Sequence, residues 1–226
     1  MKNSLVAIIL ARGNSKGVKY KNMIKVNNKP LIYWTIRDCL KSKNINSVWV
    51  SSDNSNILSY AKKIGARTII RPKKYAKDNS TSDSAWLHSI KFLEKTKVKF
   101  KNVIGLQPTS PIRGKKDIDK AFNLFNKKKF DSLFSAQIIQ DHFIWKKSKN
   151  KLIANYNFKF RPARQQIEKK FLENGSFYIF NKKKFLRYKN RLFGRIGVYV
   201  MSKINSFQID NKEDIKIVDS LKTHLK

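Results

Sequence analysis

Eleven residues, RGNSKGVKYKN (12–22), put an arginine, three lysines and two glycines immediately after the apolar run LVAIIL. Glycine lets a backbone come close to phosphate oxygens, and successive loop amides form an anion-binding concavity. Arg12, Lys16 and Lys21 supply charge that matches a triphosphate. The chemistry to which this points is the binding of a nucleoside triphosphate. The loop is not a P-loop, because no Gly-Lys-Ser/Thr closes it, and Gly13 and Gly17 do not make the G-x-G-x-x-G dinucleotide fingerprint. Taken alone, it fits a surface loop with incidental lysines equally well.

The elements that must position this loop alternate short apolar runs with longer amphipathic ones, the pattern of βαβ units and a mainly parallel sheet. LVAIIL is the first strand. Pro30 sits where a helix favours its first turn, and Leu31, Trp34, Ile36 and Leu40 recur at roughly helical spacing. NSVWVSSD predicts a strand, SNILSYAKKIG a helix closed by Gly65, and ARTIIRP a strand stopped by Pro72. A helix is expected from Ser82 or Asp83 through SDSAWLHSIKFLEK, then the strand NVIGLQPTSP, the helix KDIDKAFNLFNKKKF and the strand DSLFSAQII. Residues 140–171 break the period with short aromatic and basic pieces and read as a hairpin-like insertion. ENGSFYIF resumes the sheet, and NKEDIKIVDSLKTHL forms a last helix. No repeat or linker divides residues 1–226, which read as one domain.

A length of 226 residues with 41% hydrophobic content suffices for one substantial core. The net charge of +35 and a pI near 10.3 raise nucleic acid or another polyanion as a partner. Forty of the fifty basic residues are lysine, scattered along the chain, whereas dedicated nucleic-acid surfaces concentrate arginine. Composition bias with solvated faces is therefore the better reading, and no specific nucleic-acid partner is expected. Cys39 stands alone and makes no internal disulfide, no apolar stretch has the length of a membrane span, and no secretory signal is recognisable, so a soluble cytoplasmic protein is expected. His88, His142 and His224 show no metal-ligand or triad spacing, and most Trp and Phe residues fall at core periodicity.

ARGNSKG followed by Lys21-Asn22 resembles the nucleotide-binding signature of the acylneuraminate (sialic acid) cytidylyltransferase family. Further segments resemble that family in the same order: Ser51-Ser52-Asp53, then Arg71-Pro72 with Asp78 and Thr81-Ser82, then QPTSP (107–111). RPARQQ (161–166), ENGSFY (173–178) and Ile209-Asp210 with Glu213-Asp214 follow, so the resemblance spans nearly the whole chain.

The resemblance implies a three-layer, Rossmann-like nucleotidyltransferase fold and a reaction in which CTP and a nine-carbon 2-keto sugar acid give the CMP-sugar and pyrophosphate, with Mg²⁺. It implies that Arg12 and Lys21 contact phosphates, Lys21 stabilising transition-state charge from an exposed loop position. Gly13, Ser15, Asn22, Arg71 and Ser82 would help hold the nucleotide. Gln107, Arg164, Gln165, Asn174 and Tyr178 would lie on the sugar-acid side, with Arg164 suited to a carboxylate. Asp210 would bind the metal or assist removal of the anomeric proton. Many family members carry Asp-x-Asp here, whereas this chain has Gln208-Ile209-Asp210. Leu172 likewise replaces an often basic or aromatic residue before the ENG segment. One ion held mainly by phosphate and water is then expected. Asp53 would either contribute to the metal or cap the following helix. The insertion, with Phe143, Trp145, Tyr156 and Phe158, is implied to pack across a homodimer and reach the partner's sugar pocket. A cytidylyltransferase for the eight-carbon acid Kdo, or a basic nucleic-acid-binding protein on the same fold, are the alternatives. N-acetylneuraminate, its deaminated relative, legionaminate and pseudaminate are equally open as acceptors.

Overall fold

A computed structural model describes residues 4–15, 18–114, 116–139, 143–160 and 163–224. Lys16, Gly17, His142 and Arg161-Pro162 lie outside these residues, as does the side chain of Arg164.

The first strand, β1 (Leu5–Leu10), is buried along almost its whole length. Its side chains alternate between two cores, with Leu5, Ala7 and Ile9 on one face and Val6 and Ile8 on the other. A small hairpin, β2 (Lys25–Val26) and β3 (Lys29–Pro30), turns through Asn27 and Asn28, both at positive φ (46° and 60°). Asparagine tolerates that left-handed backbone. Helix α1 (Leu31–Lys41) begins directly after Pro30. There follow β4 (Ile45–Ser52), α2 (Ser55–Lys63), β5 (Arg67–Ile70), α3 (Ser82–Lys95), β6 (Asn102–Leu106) and α4 (Asp117–Lys127). Helix α2 is capped by Asn54, whose side chain accepts from the Ile57 amide, and Gly65 just beyond it adopts φ +97°. Helix α3 is capped by Thr81.

Strand β7 (Ser132–Ile139) precedes the two-stranded insertion β8 (Trp145–Ser148) and β9 (Lys151–Ala154). The long β10 (Lys170–Asn181), α5 (Lys182–Tyr188), β11 (Ile196–Val200) and α6 (Lys212–His224) complete the described chain. Helix α5, strand β11 and the β2–β3 hairpin are elements the sequence reading did not foresee.

The main sheet has the order β11-β7-β10-β6-β1-β4-β5. All neighbours are parallel except β10, which runs antiparallel to both β6 and β7. Helices cover both faces. One core joins Ile32 and Ile36 of α1 to Phe122 and Phe125 of α4, and the other joins Trp86 and Ile90 of α3 to Phe180 and Phe185. Full burial of an Ile or Phe is worth about 1.5–3 kcal/mol, so these two layers set the fold. A third cluster, with Leu31, Trp34, Ile209 and Val218, fastens α6 against α1. No helix among the described residues is long and apolar enough to cross a membrane.

The chain goes from β1 to β4 and β5 on one side and then crosses to β6 on the other. The crevice at the carboxyl ends of β1 and β6 is therefore the switch point at which open α/β sheets bind ligands.

Candidate active site

At that crevice lies a cleft of about 320 Å³, whose lining includes Arg12, Lys21, Ser82, Gln107, Gln208 and Asp210. Ser15, Asn22 and Arg71 line it too.

Leaving β1, the loop is fastened at several points. The Gly13 amide donates to Asp53 Oδ1 (2.9 Å), and the Asn22 side-chain amide donates to the Arg12 carbonyl (2.8 Å). A Cβ on Gly13 would stand 2.9 Å from that of Asn54, so glycine is required by close approach. Asp53 thus ties the loop, while its neighbour Asn54 takes the helix cap. Tyr20 enters a left-handed conformation (φ 55°) and turns the chain so that Lys21 and Asn22 point inward. Lys21 is buried, not exposed as expected. Its Nζ donates to the Ile209 carbonyl at 2.9 Å and lies 3.5 Å from Asp210 Oδ1. The Ile209 amide in turn donates to the Thr109 carbonyl (2.9 Å), so three distant segments meet beneath the cleft.

The far wall is the second loop. Arg12 Nη1 crosses to Asp78 Oδ1 at 2.9 Å, and α3 presents its first residue, Ser82, to the cleft. A helix N-terminus with free amides favours an anion there. Arg71 is buried beneath, donating through Nε to Ser51 Oγ (3.2 Å) and through Nη2 to the Ser51 carbonyl. Burial pulls its pKa down to about 10, with Arg12 adding to the fall and Asp53 opposing it. It stays charged at neutral pH and keeps the cleft floor positive.

Asp210 leads into α6 through a reciprocal cap. Asn211 Oδ1 accepts from the Asp214 amide (2.9 Å), while Asp214 Oδ2 accepts from the amides of Asp210 (2.7 Å) and Asn211 (3.0 Å). The Asp214 carboxylate therefore orients the turn that carries Asp210, a role the motif alone did not disclose. Lys222 on α6 lies 3.6 Å from the Trp34 ring centroid.

The residues expected on the acceptor side are placed otherwise. Gln107 lines the cleft at the end of β6. Asn174 is interior: its Oδ1 accepts from Ser135 Oγ (2.6 Å) and the Ser176 amide (3.2 Å), and its Nδ2 donates to Ser206 Oγ (3.0 Å). Tyr178 is buried against Trp86, with Arg191 over its ring at 4.7 Å, and its hydroxyl donates to Glu173. Burial first, and Glu173 next, push its pKa well up, so it stays neutral. Gln165 is exposed on a short turn (Arg164–Gln166) away from the cleft lining. Gly175 (φ +61°) lies against Gln208, whose Nε2 would be 3.2 Å from an added Cβ. Sequence reasoning missed Arg113, whose buried guanidinium reaches both Gln107 and Ser176. Its only signal was adjacency to QPTSP.

Among the described residues no group of three or more His, Cys, Asp or Glu is arranged to hold a metal ion. Of the two carboxylates lining the cleft, Asp78 is engaged by Arg12, whereas the Asp210 side chain is 72% exposed. This donor set fits one hard cation that takes most of its ligands from phosphate oxygens and water, not an all-protein cage.

Fold and cleft together define a Rossmann-like nucleotidyltransferase architecture. A solved CMP:2-keto-3-deoxy-manno-octonic acid synthetase complexed with CTP superposes with a TM-score of 0.73, at 13% identity over 99% of this chain and 100% of that one. Residues 6–224 match the family model described as Cytidylyltransferase, and the chain belongs to that family. The N-acylneuraminate cytidylyltransferase of Oncorhynchus mykiss is 34% identical over 186 residues, which are 80% of this chain and 42% of that protein. The pseudaminic acid cytidylyltransferase of Campylobacter jejuni is 26% identical over 225 residues, 98% of this chain and 96% of that one. The chain spans about half the length of the N-acylneuraminate relatives it matches.

Proposed function

We propose that this chain transfers CMP from CTP to the anomeric hydroxyl of a nine-carbon 2-keto sugar acid, releasing pyrophosphate. The observation that carries the reading is Lys21, buried at the cleft floor with its ammonium on the Ile209 carbonyl and beside Asp210. Relatives named for N-acylneuraminate and pseudaminic acid support an acceptor of this class.

Attack on the α-phosphate requires neutralisation of the triphosphate and stabilisation of the leaving pyrophosphate, chiefly by positioning and electrostatics. In this reading Arg12 and Lys21 meet phosphate oxygens, with Lys21 stabilising charge as the α-phosphate is transferred. Ser82 at the α3 N-terminus, Gly13, Ser15, Asn22 and Arg71 hold the nucleotide. Asp210 would hold Mg²⁺, which when bound supplies charge neutralisation on the phosphates. Gln107 reads the sugar acid directly. Asn174 shapes the turn beside Gln208 from within, and Arg164 and Gln165 meet the acceptor's carboxylate and hydroxyls from the segment after the β8–β9 hairpin.

That hairpin exposes Leu152 and Ile153, and the following segment exposes Phe158 and Phe160, the last at 79%. Apolar surface of this extent suits an interface, and a homodimer in which the segment reaches the partner's acceptor site accounts for it.

The test is pyrophosphate release from CTP with N-acetylneuraminate, its deaminated relative, legionaminate and pseudaminate, with Kdo as control, against Mg²⁺ concentration. Turnover is expected with at least one nine-carbon acid and not with Kdo. Asp210→Asn is expected to shift the Mg²⁺ curve to higher concentration, and Gln208→Asp to shift it lower by adding a second hard ligand. Superimposable metal curves would remove both positions from the ion, and no turnover of any nine-carbon acid would defeat the reading.

A further inference from the structure

Arg113 carries a deeply buried guanidinium near the cleft, with a side chain 0% exposed. Its position coincides with a break in the sheet. Strands β6 and β10 pair as far as Leu106↔Phe177. Past that pair they part: β6 runs on into Gln107 at the cleft wall, while the chain preceding Phe177 passes through Asn174, Gly175 and Ser176. The carbonyls of Gln107 and Ser176 stand just past the last residues of the β6–β10 pairing.

The Arg113 guanidinium fills that opening. Nη2 donates to the Ser176 carbonyl (3.1 Å) and the Gln107 carbonyl (3.4 Å), and Nε donates to Ser176 Oγ (2.9 Å). On its far side Nη1 meets Thr35 Oγ1 (3.5 Å) and Asp38 Oδ2 (3.6 Å), both on α1. Two carbonyl oxygens turned toward one gap repel, and a planar cation between them replaces repulsion with charge-assisted hydrogen bonds in fixed directions. Asp38 supplies the counter-charge that lets the cation remain buried.

We propose that Arg113 is a positioning residue for the acceptor half of the cleft, holding the opening between β6 and β10 at a set width so that Gln107 and the Asn174–Gly175 turn present one rigid wall to the sugar acid. It acts through Gln107 and Ser176 and not by touching substrate. This deepens, and rests on, the cytidylyl-transfer reading. Lysine at this position keeps the charge but has a single nitrogen, so it cannot serve the two carbonyls, Ser176 Oγ and the α1 side chains at once as the three guanidinium nitrogens do.

The experiment uses the full chain as wild type, Arg113→Lys and Ser176→Ala. CTP binding is measured calorimetrically with Mg²⁺ and no acceptor, and pyrophosphate release is measured at saturating CTP against the nine-carbon acid the wild type uses best. Arg113→Lys is expected to raise the KM for the acid roughly tenfold and Ser176→Ala a few-fold, as fits the loss of hydrogen bonds to a charged group, with CTP affinity within about twofold of wild type. Equal changes in CTP affinity and acid KM would mark a general structural defect and overturn the proposal, as would an unchanged acid KM in both variants. If Arg113→Lys does not fold, Ser176→Ala decides between these outcomes alone. A wild type that binds CTP but turns over no acid defeats the transfer reading and this inference with it, whereas an active wild type with flat variants defeats only the role of Arg113.

Discussion

Of the residues proposed for the nucleotide, Arg12 and Lys21 come from the first loop and Arg71 and Ser82 from two later segments, and each is anchored or presented by contacts within one chain. Of the five residues expected on the acceptor side, Gln107 lines the cleft, Asn174 and Tyr178 are committed to interior hydrogen bonds, Gln165 is exposed on a turn after the hairpin, and the side chain of Arg164 lies outside the described residues. The contrast follows from where each half is built. The proposed nucleotide half sits on the ends of parallel strands covered by helices on both faces. The proposed acceptor half draws on an antiparallel strand and on the two-stranded projection, around which Phe143 packs on Tyr156 and Trp145 on Phe158. The proposed dimer would complete the proposed acceptor half.

The largest expected effect lies where the halves meet. Lys21→Ala should lower kcat by roughly 10²–10³-fold, the scale for removing one preorganised electrostatic contact to a transition state. Because Lys21 is buried on the Ile209 carbonyl, Lys21→Met is the companion that keeps the packed stem, and thermal melts of both separate lost chemistry from lost stability. Wild-type kcat in Lys21→Met would take the catalytic role from this residue. Next in size, deletion of residues 143–158 should give monomers by sedimentation with little turnover but CTP affinity close to wild type. Loss of CTP binding as well would show that the two halves are not separable. Smaller still, Arg12→Ala should raise the KM for CTP about tenfold with less change in that for the acid, since a charge-assisted contact to phosphate is worth about 1.5–3 kcal/mol at best and Arg12 is partly solvated. An acid KM that rises more than the CTP KM would reverse the comparison.

The nucleotide half was also the more legible in the sequence. Its motifs are local: a glycine-bearing loop after a strand, a helix expected from Ser82 or Asp83 and found to begin at Ser82, and a Gly65 stop. Family membership and the α/β sheet were readable for the same reason. What escaped was long-range. The burial of Lys21 depends on Ile209, 188 residues away, and the grip of Arg113 depends on Ser176, 63 residues away. Helix α5 reads as a lysine run because Phe185 is its one buried residue. Strand β11 is short and half-exposed, and its Gly197 is explained only by the Phe130 ring, 2.3 Å from where a Cβ would stand. Asp53 was read as a metal contact or a helix cap; the cap belongs to Asn54, and Asp53 accepts from the Gly13 amide.

The central claim, a nucleotide half complete within one chain and an acceptor half closed by a second, is tested most directly by mixing two inactive variants. Lys21→Ala chains lack the ammonium proposed for catalysis but keep the proposed acceptor segment, and Arg164→Ala chains have the reverse defect. Co-refolded in equal amounts, they should regain roughly a quarter of wild-type pyrophosphate release, because half the dimers are mixed and each of those has one intact site. Activity no higher than the sum of the two variants alone would show that Arg164 serves its own chain, and would contradict a site shared between two.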